Sequence, residues 1–327
     1  MSDEPASPAT GRTPYDLAGK RVFVAGHRGM VGSALCGRLA SENCEVLTAT
    51  RIELDLRRQD AVEAWMAKNR PDVVVIAAAT VGGIHANDAF PADFLYDNVM
   101  IEANLVHASY RAGVEKALFL GSSCIYPREA EQPMREDALL TGPLETTNQW
   151  YAVAKIAGIK LTQAYRRQHG CDFISAMPTN LYGPRDNFDL QTSHVLPALM
   201  RKIDSARSED SESVTIWGSG RPQREFMYVR DLADALVFLL KHYSAEEHIN
   251  IGVGSDISIA DLAAQIAQVV GWEGRFDYDA SKPDGTPRKL MDSSRLAALG
   301  WRPRTSLEDG IRETYEWFAA NREKARM

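Results

Sequence analysis

Cysteine is scarce in this chain: Cys36, Cys44, Cys124 and Cys171 are the only four in 327 residues, and no two form a CxxC pair. That excludes a disulfide scaffold and a zinc-ribbon site, leaves no metal to expect, and suits the reducing cytoplasm. Positive charge is also short, with 37 Lys and Arg against 44 Asp and Glu for a net charge of −7. No global field therefore exists to gather nucleic acid or anionic lipid, and an anionic ligand must be held by a local site. Long apolar runs are missing too, so no membrane span is expected. The N-terminus is rich in Ser, Pro, Thr and acid where a signal peptide would be basic and then apolar, and residues 1–18 read as a disordered tail. Neither an internal repeat nor a coiled-coil heptad is present.

What remains is the composition of a globular enzyme, 45% hydrophobic and 25% charged, at a length that calls for two lobes. Short β-branched and apolar runs begin at Arg21 to Ala25 and recur at Cys44 to Ala49, Asp72 to Ala78, Ala117 to Gly121 and Phe173 to Met177, each separated by room for a helix. Such alternation predicts a doubly wound parallel Rossmann sheet. Residues 19–181 with 225–252 are assigned to it, and 182–224 with 253–327 to a smaller C-terminal α/β substrate lobe. The polar stretch Ser205 to Ser213 reads as an exposed loop, and Ile249 to Gly252 as an edge strand returning to the first lobe. Helices are expected over Asp231 to His242, over Ile259 to Val270 behind an N-cap at Ser258, and over Ser306 to Ala320.

Gly26, Gly29 and Gly32 follow the first strand and open a helix, the setting a dinucleotide turn requires: one glycine for the bend, one for close approach of backbone amides to a pyrophosphate, one for helix packing. The GxxGxxG spacing alone is weak, but the sheet pattern behind it is not. Where an NAD enzyme would carry an acid after the second strand, this chain has Arg51, and Arg28 lies within the turn; two guanidinium groups there suit a 2′-phosphate and favour NADP. Asp55 suits an adenine amino group. As single residues, both arginines could equally be solvated surface charge.

Tyr151 and Lys155 lie one helical turn apart on one face, and carbonyl reduction needs such a pair: a phenol to deliver a proton and an ammonium to stabilise the phenolate and lower its pKa. Ser122 or Ser123, at the carboxyl end of the fourth strand, could bond the substrate oxygen. The glycine turn, the serine and YxxxK together resemble the extended short-chain dehydrogenase/reductase family. More narrowly, Ala25 to Ser33, Val81 to Ile84, Gly121 to Pro127, Pro178 to Pro184, Ser193 to Pro197, Trp217 to Gly220 and Lys282 to Lys289 look like the GDP-L-fucose synthase family, from about Arg21 to the C-terminus.

That resemblance implies NADPH-dependent reduction of GDP-4-keto-6-deoxy-D-mannose after epimerisation at C3 and C5. It implies Cys124 as base, His194 as acid, Tyr151 as proton donor to O4, and Lys155 and Ser122 in support. Cofactor contacts are carried onto Gly26, His27, Arg28, Gly29, Met30, Val31, Gly32, Arg51, Asp55, Leu120, Gly121, Ser122, Ser123, Lys155, Pro178, Thr179, Asn180, Leu181 and His194. Substrate contacts fall on Asn180, Lys202, Trp217, Arg224 and Asp284. Lys202 stands where the resemblance suggests arginine, and it offers a point charge without a bidentate fork. Cys36, Cys44 and Cys171 read as small core hydrophobes. A homodimer is implied, paired through helices near 98–112 and 147–169. Two other readings stand beside this one: another sugar-nucleotide epimerase, dehydratase or reductase of the extended family, and an inactive NADP-sensing protein. Arg28 and Arg51 count against the first, the presence of Tyr151 and Lys155 against the second.

Overall fold

The computed structural model describes residues 13–282 and 284–323; most of the expected tail lies outside them. Six parallel strands form one sheet in the order Ile249–Ile251, Asp172–Pro178, Lys116–Leu120, Val73–Ile76, Arg21–Ala25, Glu45–Leu47. Alternation within each strand divides the core between two faces. Val22 and Val24 face the helices Met30–Leu39 and Val229–His242, while Phe23 and Ala25 face the helices Gln59–Asn69, Pro91–Arg111 and Gln149–His169. Val73, Val75 and Val74, Ile76 repeat the split. A sheet buried on both sides explains why its strands are continuously apolar. The strand order reverses at Arg21–Ala25, whose neighbours are the second and third strands, and ligands of open α/β sheets bind beyond the carboxyl ends at such a point.

A second core gathers Tyr182, Phe188, Leu199, Met200, Ile216, Leu262, Ile266 and Phe318 from the chain beyond the fifth strand. Ser258 caps its helix as expected, its hydroxyl accepting from the Asp261 amide at 3.0 Å, and Gly271 ends that helix in the left-handed region. The chain also returns to the sheet as expected, with Ile249–Ile251 pairing in parallel with Ala176–Pro178.

The exposed loop expected over 205–213 is shorter, residues 209–212 only: a helix runs from Val195 to Ser208 and a strand starts at Ser213. Buried Ile203 and Ala206 continue the apolar stripe, and Asp204, which reads as polar surface, is buried because it accepts from the Tyr315 hydroxyl (2.9 Å) and the Arg322 guanidinium (2.6 Å). The last residues of the tail are also structured. Leu17 is buried in the sheet core, and the Tyr15 amide donates to the Lys241 carbonyl at 2.8 Å. Leu296 and Trp301, assigned to the second lobe, pack on the sheet core as well.

Candidate functional site

The glycine turn is shaped as its residue types require. Gly26 has φ +92°, and a Cβ there would lie 2.8 Å from the Ala78 backbone, where the first and third strands run side by side. Gly29 is the N-cap of the helix Met30–Leu39 and carries no side-chain cap, so the first amides of that helix, which begins Met30, Val31, Gly32, face outward. A Cβ on Gly32 would collide with the Gly26 carbonyl, so the helix starts closer to the strand than any other residue would allow. His27 is held neutral first by burial and then by Arg28.

Arg28 and Arg51 are both exposed at the mouth of this turn. An acid does stand near them, one that reading the second strand alone missed: Glu53, whose carboxylate accepts from the Thr50 amide at 2.8 Å. Those Thr50 bonds hold its carboxyl below the usual range, with smaller help from Arg28 and His27. Asp55 is less free than expected. Arg57 donates to its two oxygens at 3.0 and 2.9 Å and holds its pKa down at about 2, and Arg57 also reaches Asp97 at 3.2 Å.

At the end of the fourth strand Leu120, Gly121, Ser122 and Ser123 lead into a single 3-10 turn, Ser123–Ile125, that carries Cys124 into a buried position. Gly121 packs directly on Met177: a Cβ would run into its sulfur, so that side chain would have to move. On the helix Gln149–His169, Tyr151 and Lys155 stand as the spacing predicts, with the ammonium 5.6 Å from the phenol ring centroid. Lys155 is buried; its Nζ donates to the Leu120 carbonyl at 3.1 Å and pairs with Glu102 Oε1 at 2.8 Å. The expected lowering of the tyrosine pKa does not appear. Burial pushes the Tyr151 phenol well up, and Cys124 and then Glu102 add to that; burial pushes the Glu102 carboxyl up as well, opposed by the Lys155 ammonium.

Burial also pushes the Cys124 thiol up, opposed first by Lys289, then by a hydrogen bond with Ser122, then by Lys155. His194, N-cap of the helix Val195–Ser208, is exposed, and desolvation by the surrounding protein, followed by the charge of Lys289, lowers its pKa. Lys289 is thus common to both groups: it favours a thiolate on Cys124 and disfavours an imidazolium on His194.

Beyond this centre Pro178, Thr179, Asn180 and Leu181 cross between the lobes. The Thr179 amide donates to the Ile251 carbonyl at 3.0 Å and the Asn180 side-chain amide to the Glu225 carbonyl at 2.8 Å. Glu225 is itself fully buried, accepting from the Val253, Gly254 and Met291 amides at 2.6, 2.8 and 3.1 Å. The remaining substrate candidates come together. The Lys202 ammonium lies 5.1 Å from the centre of the Trp217 ring, Trp217 is exposed, and Asp284 accepts from the Ser219 amide and hydroxyl at 2.6 and 2.8 Å. Arg224 is close enough to Asp284 to feel its charge.

Glu102, Lys289, Glu53 and Glu225 were not singled out from sequence. For Glu102 a signal existed: it occupies the buried face of the helix Pro91–Arg111 shared by Asn98, Leu105 and Ser109, a place where an unpaired carboxylate is not tolerated.

Comparison with known proteins agrees with this geometry. The model of the NAD dependent epimerase/dehydratase family matches residues 22–252. A protein of Sinorhizobium fredii named GDP-L-fucose synthase is 62% identical over 307 residues, covering 94% of this chain and 98% of that one. One of the same name from Escherichia coli is 52% identical over 320 residues, covering 95% and 100%. The crystal structure of a GDP-L-fucose synthetase from Naegleria fowleri bound to NADP superimposes with a TM-score of 0.89 at 32% identity, covering 96% and 99%. The chain belongs to the NAD dependent epimerase/dehydratase family and resembles its GDP-L-fucose synthases over nearly its whole length.

Proposed function

We propose that this protein is an NADPH-dependent 3,5-epimerase and 4-reductase that converts GDP-4-keto-6-deoxy-D-mannose to GDP-L-fucose. The observation that carries the reading is the Tyr151–Lys155 pair, ammonium 5.6 Å from the phenol ring centroid and bonded at 3.1 Å to the Leu120 carbonyl, at the same strand end whose turn buries Cys124.

The cofactor fits the glycine turn, where Gly26 and Gly32 let the helix Met30–Leu39 start tight against the strand and Gly29 leaves its first amides without a side-chain cap. Gly26 to Gly32 would hold its pyrophosphate, Arg28 and Arg51 its 2′-phosphate, and Lys155 with the Leu120 to Ser123 and Pro178 to Leu181 segments its nicotinamide half. Bound NADPH supplies hydride for reduction at C4.

The protons alpha to a C4 ketone are acidic because their loss gives an enolate. Cys124 as thiolate removes the proton from C3, and later from C5, and His194 as imidazolium returns one to the opposite face. That reacting form differs from the resting one by a single proton moved from Cys124 to His194, and Lys289 is the cation placed to favour the thiolate. Tyr151, kept protonated by burial and by Glu102, delivers its proton to O4 while Ser122 bonds the same oxygen. A 4-epimerase, which breaks no C–H bond beside the ketone, would have no use for this second pair. Arg224 and Lys202 face the diphosphate, Trp217 packs against the nucleotide, and Asp284 and Asn180 complete the pocket. The free cysteines fit a cytoplasmic enzyme, and the exposed aromatic residues on the helices Pro91–Arg111 and Gln149–His169 fit a homodimer.

The test is NADPH consumption with freshly prepared GDP-4-keto-6-deoxy-D-mannose, beside NADH and beside the matching dTDP sugar, with the product identified. Oxidation with the GDP sugar yielding GDP-L-fucose is expected. Tight NADPH binding with no turnover would move the assignment to another sugar nucleotide or to a sensor.

A further inference from the structure

Lys155 is not alone beneath the tyrosine. Its ammonium pairs at 2.8 Å with Glu102, and both side chains are almost wholly buried. Among the described residues no other donor bonds either oxygen of that carboxylate. Room for it is made by Gly158 on the tyrosine's own helix, where a Cβ would lie 2.8 Å from Glu102 Oε2 and would run into the Phe119 ring. Glycine within a helix is unfavourable, so two residues on two helices are given over to placing one carboxylate. A buried ion pair is a poor source of stability compared with apolar packing. Its presence here is explained by the lysine, which the reduction needs in place and which would otherwise be an uncompensated buried cation.

We propose that Glu102 is a positioning residue for the reductive step: it anchors Lys155 at the end of the fourth strand and, by balancing the ammonium, keeps the Tyr151 phenol protonated until the substrate oxygen takes the proton. The groups facing Tyr151 are Lys155 from its own helix, Glu102 and the Phe94 ring from the helix Pro91–Arg111, and Cys124 from the turn after the fourth strand. Of these, Lys155 alone favours the phenolate. Glu102 and Cys124, once ionised, oppose it. Removing the Glu102 charge therefore makes the phenol more acidic. That moves the loss of reductase activity to lower pH.

This inference rests on the reductive reading above. The experiment is the pH profile of kcat/KM for NADPH consumption in the wild type, Glu102→Gln and Glu102→Asp, run beside deuterium exchange at C3 and C5 of the substrate in D2O. In Glu102→Gln the basic limb is expected to fall by about one pH unit, the scale of a neighbouring buried charge, with exchange within about twofold of wild type. Glu102→Asp keeps the charge, so its basic limb should stay at the wild-type position even if its rate is lower. A basic limb that stays put in Glu102→Gln, one that moves in Glu102→Asp, or equal losses of exchange and reduction in both variants would overturn the proposal. A wild type that exchanges and reduces nothing would remove both this inference and the reading beneath it.

Discussion

Arg51 and Arg28 stand exposed beside the glycine turn with Glu53 next to them, so the charge at this corner is mixed, and Arg51 decides the choice of cofactor only if its guanidinium meets a phosphate. A charge-assisted hydrogen bond contributes about 1.5–3 kcal/mol. Arg51→Ala is therefore expected to raise KM for NADPH by roughly 10–100-fold and to leave NADH kinetics nearly unchanged; equal losses with the two cofactors would show that the arginine serves the fold. Residues that had to be of one kind were legible beforehand: Gly26 with its positive φ, Tyr151 and Lys155 one turn apart, Ser122 at the strand end. The residues that tune them were not. Glu102 and Lys289 act across tertiary contacts, Glu102 on Lys155 from another helix and Lys289 on Cys124 from near the end of the chain, and no local spacing encodes such a meeting.

Between elements, one buried polar network ties the sheet edge to the turn bearing Cys124. The Tyr126 hydroxyl donates to Asn250 Oδ1 at 2.5 Å, which leaves its oxygen to accept from His248 Nε2 at 3.0 Å; the Asn250 side-chain amide in turn donates to the Met134 carbonyl at 3.0 Å and its backbone amide to Glu136 Oε1 at 3.1 Å. This pattern requires a proton on His248 Nε2. Burial lowers the His248 pKa to about 4, with Arg295 and Lys160 adding to the effect. A histidine with a depressed folded pKa contributes stability that is fully present above its ordinary value of about 6.5 and is lost as pH falls toward 4. The fall in unfolding free energy between pH 7 and pH 4.5 should accordingly be about 2–3 kcal/mol smaller in His248→Asn than in the wild type, as read by urea unfolding. Equal falls would mean that His248 is protonated in the folded state. Elements themselves were largely legible, because Ser258, Gly271 and the β-branched strand runs are local signals. The helix Val195–Ser208 was not legible, since its last turn is polar and charged and buried Asp204 meets its partners Tyr315 and Arg322 only through tertiary contacts.

Across the whole molecule, the two helices Pro91–Arg111 and Gln149–His169 pack on one another and leave Tyr96, Tyr110, Trp150 and Val153 exposed on their outer side. Such a concentration of large apolar side chains suits burial against a second copy. Tyr96→Glu combined with Val153→Glu should convert a dimer to a monomer of about 36 kDa in sedimentation; a wild type that sediments as a monomer, or a variant unchanged in mass, would remove this interface. The strand order brings Cys124, Tyr151 and Lys155 to one sheet end, and the charge of Lys289 reaches both Cys124 and His194; on the proposed function this one centre serves proton removal and return at C3 and C5 and proton delivery at O4. The most direct test of that arrangement is deuterium uptake at C3 and C5 of GDP-4-keto-6-deoxy-D-mannose in D2O, measured with NADPH oxidation in the wild type, Cys124→Ser and Tyr151→Phe. The account predicts that Cys124→Ser abolishes uptake, because a hydroxyl is too weak a base, and that Tyr151→Phe keeps uptake while losing NADPH oxidation at least 100-fold, the scale of general-acid catalysis. Undiminished uptake in Cys124→Ser, or loss of uptake and oxidation together in Tyr151→Phe, would contradict it.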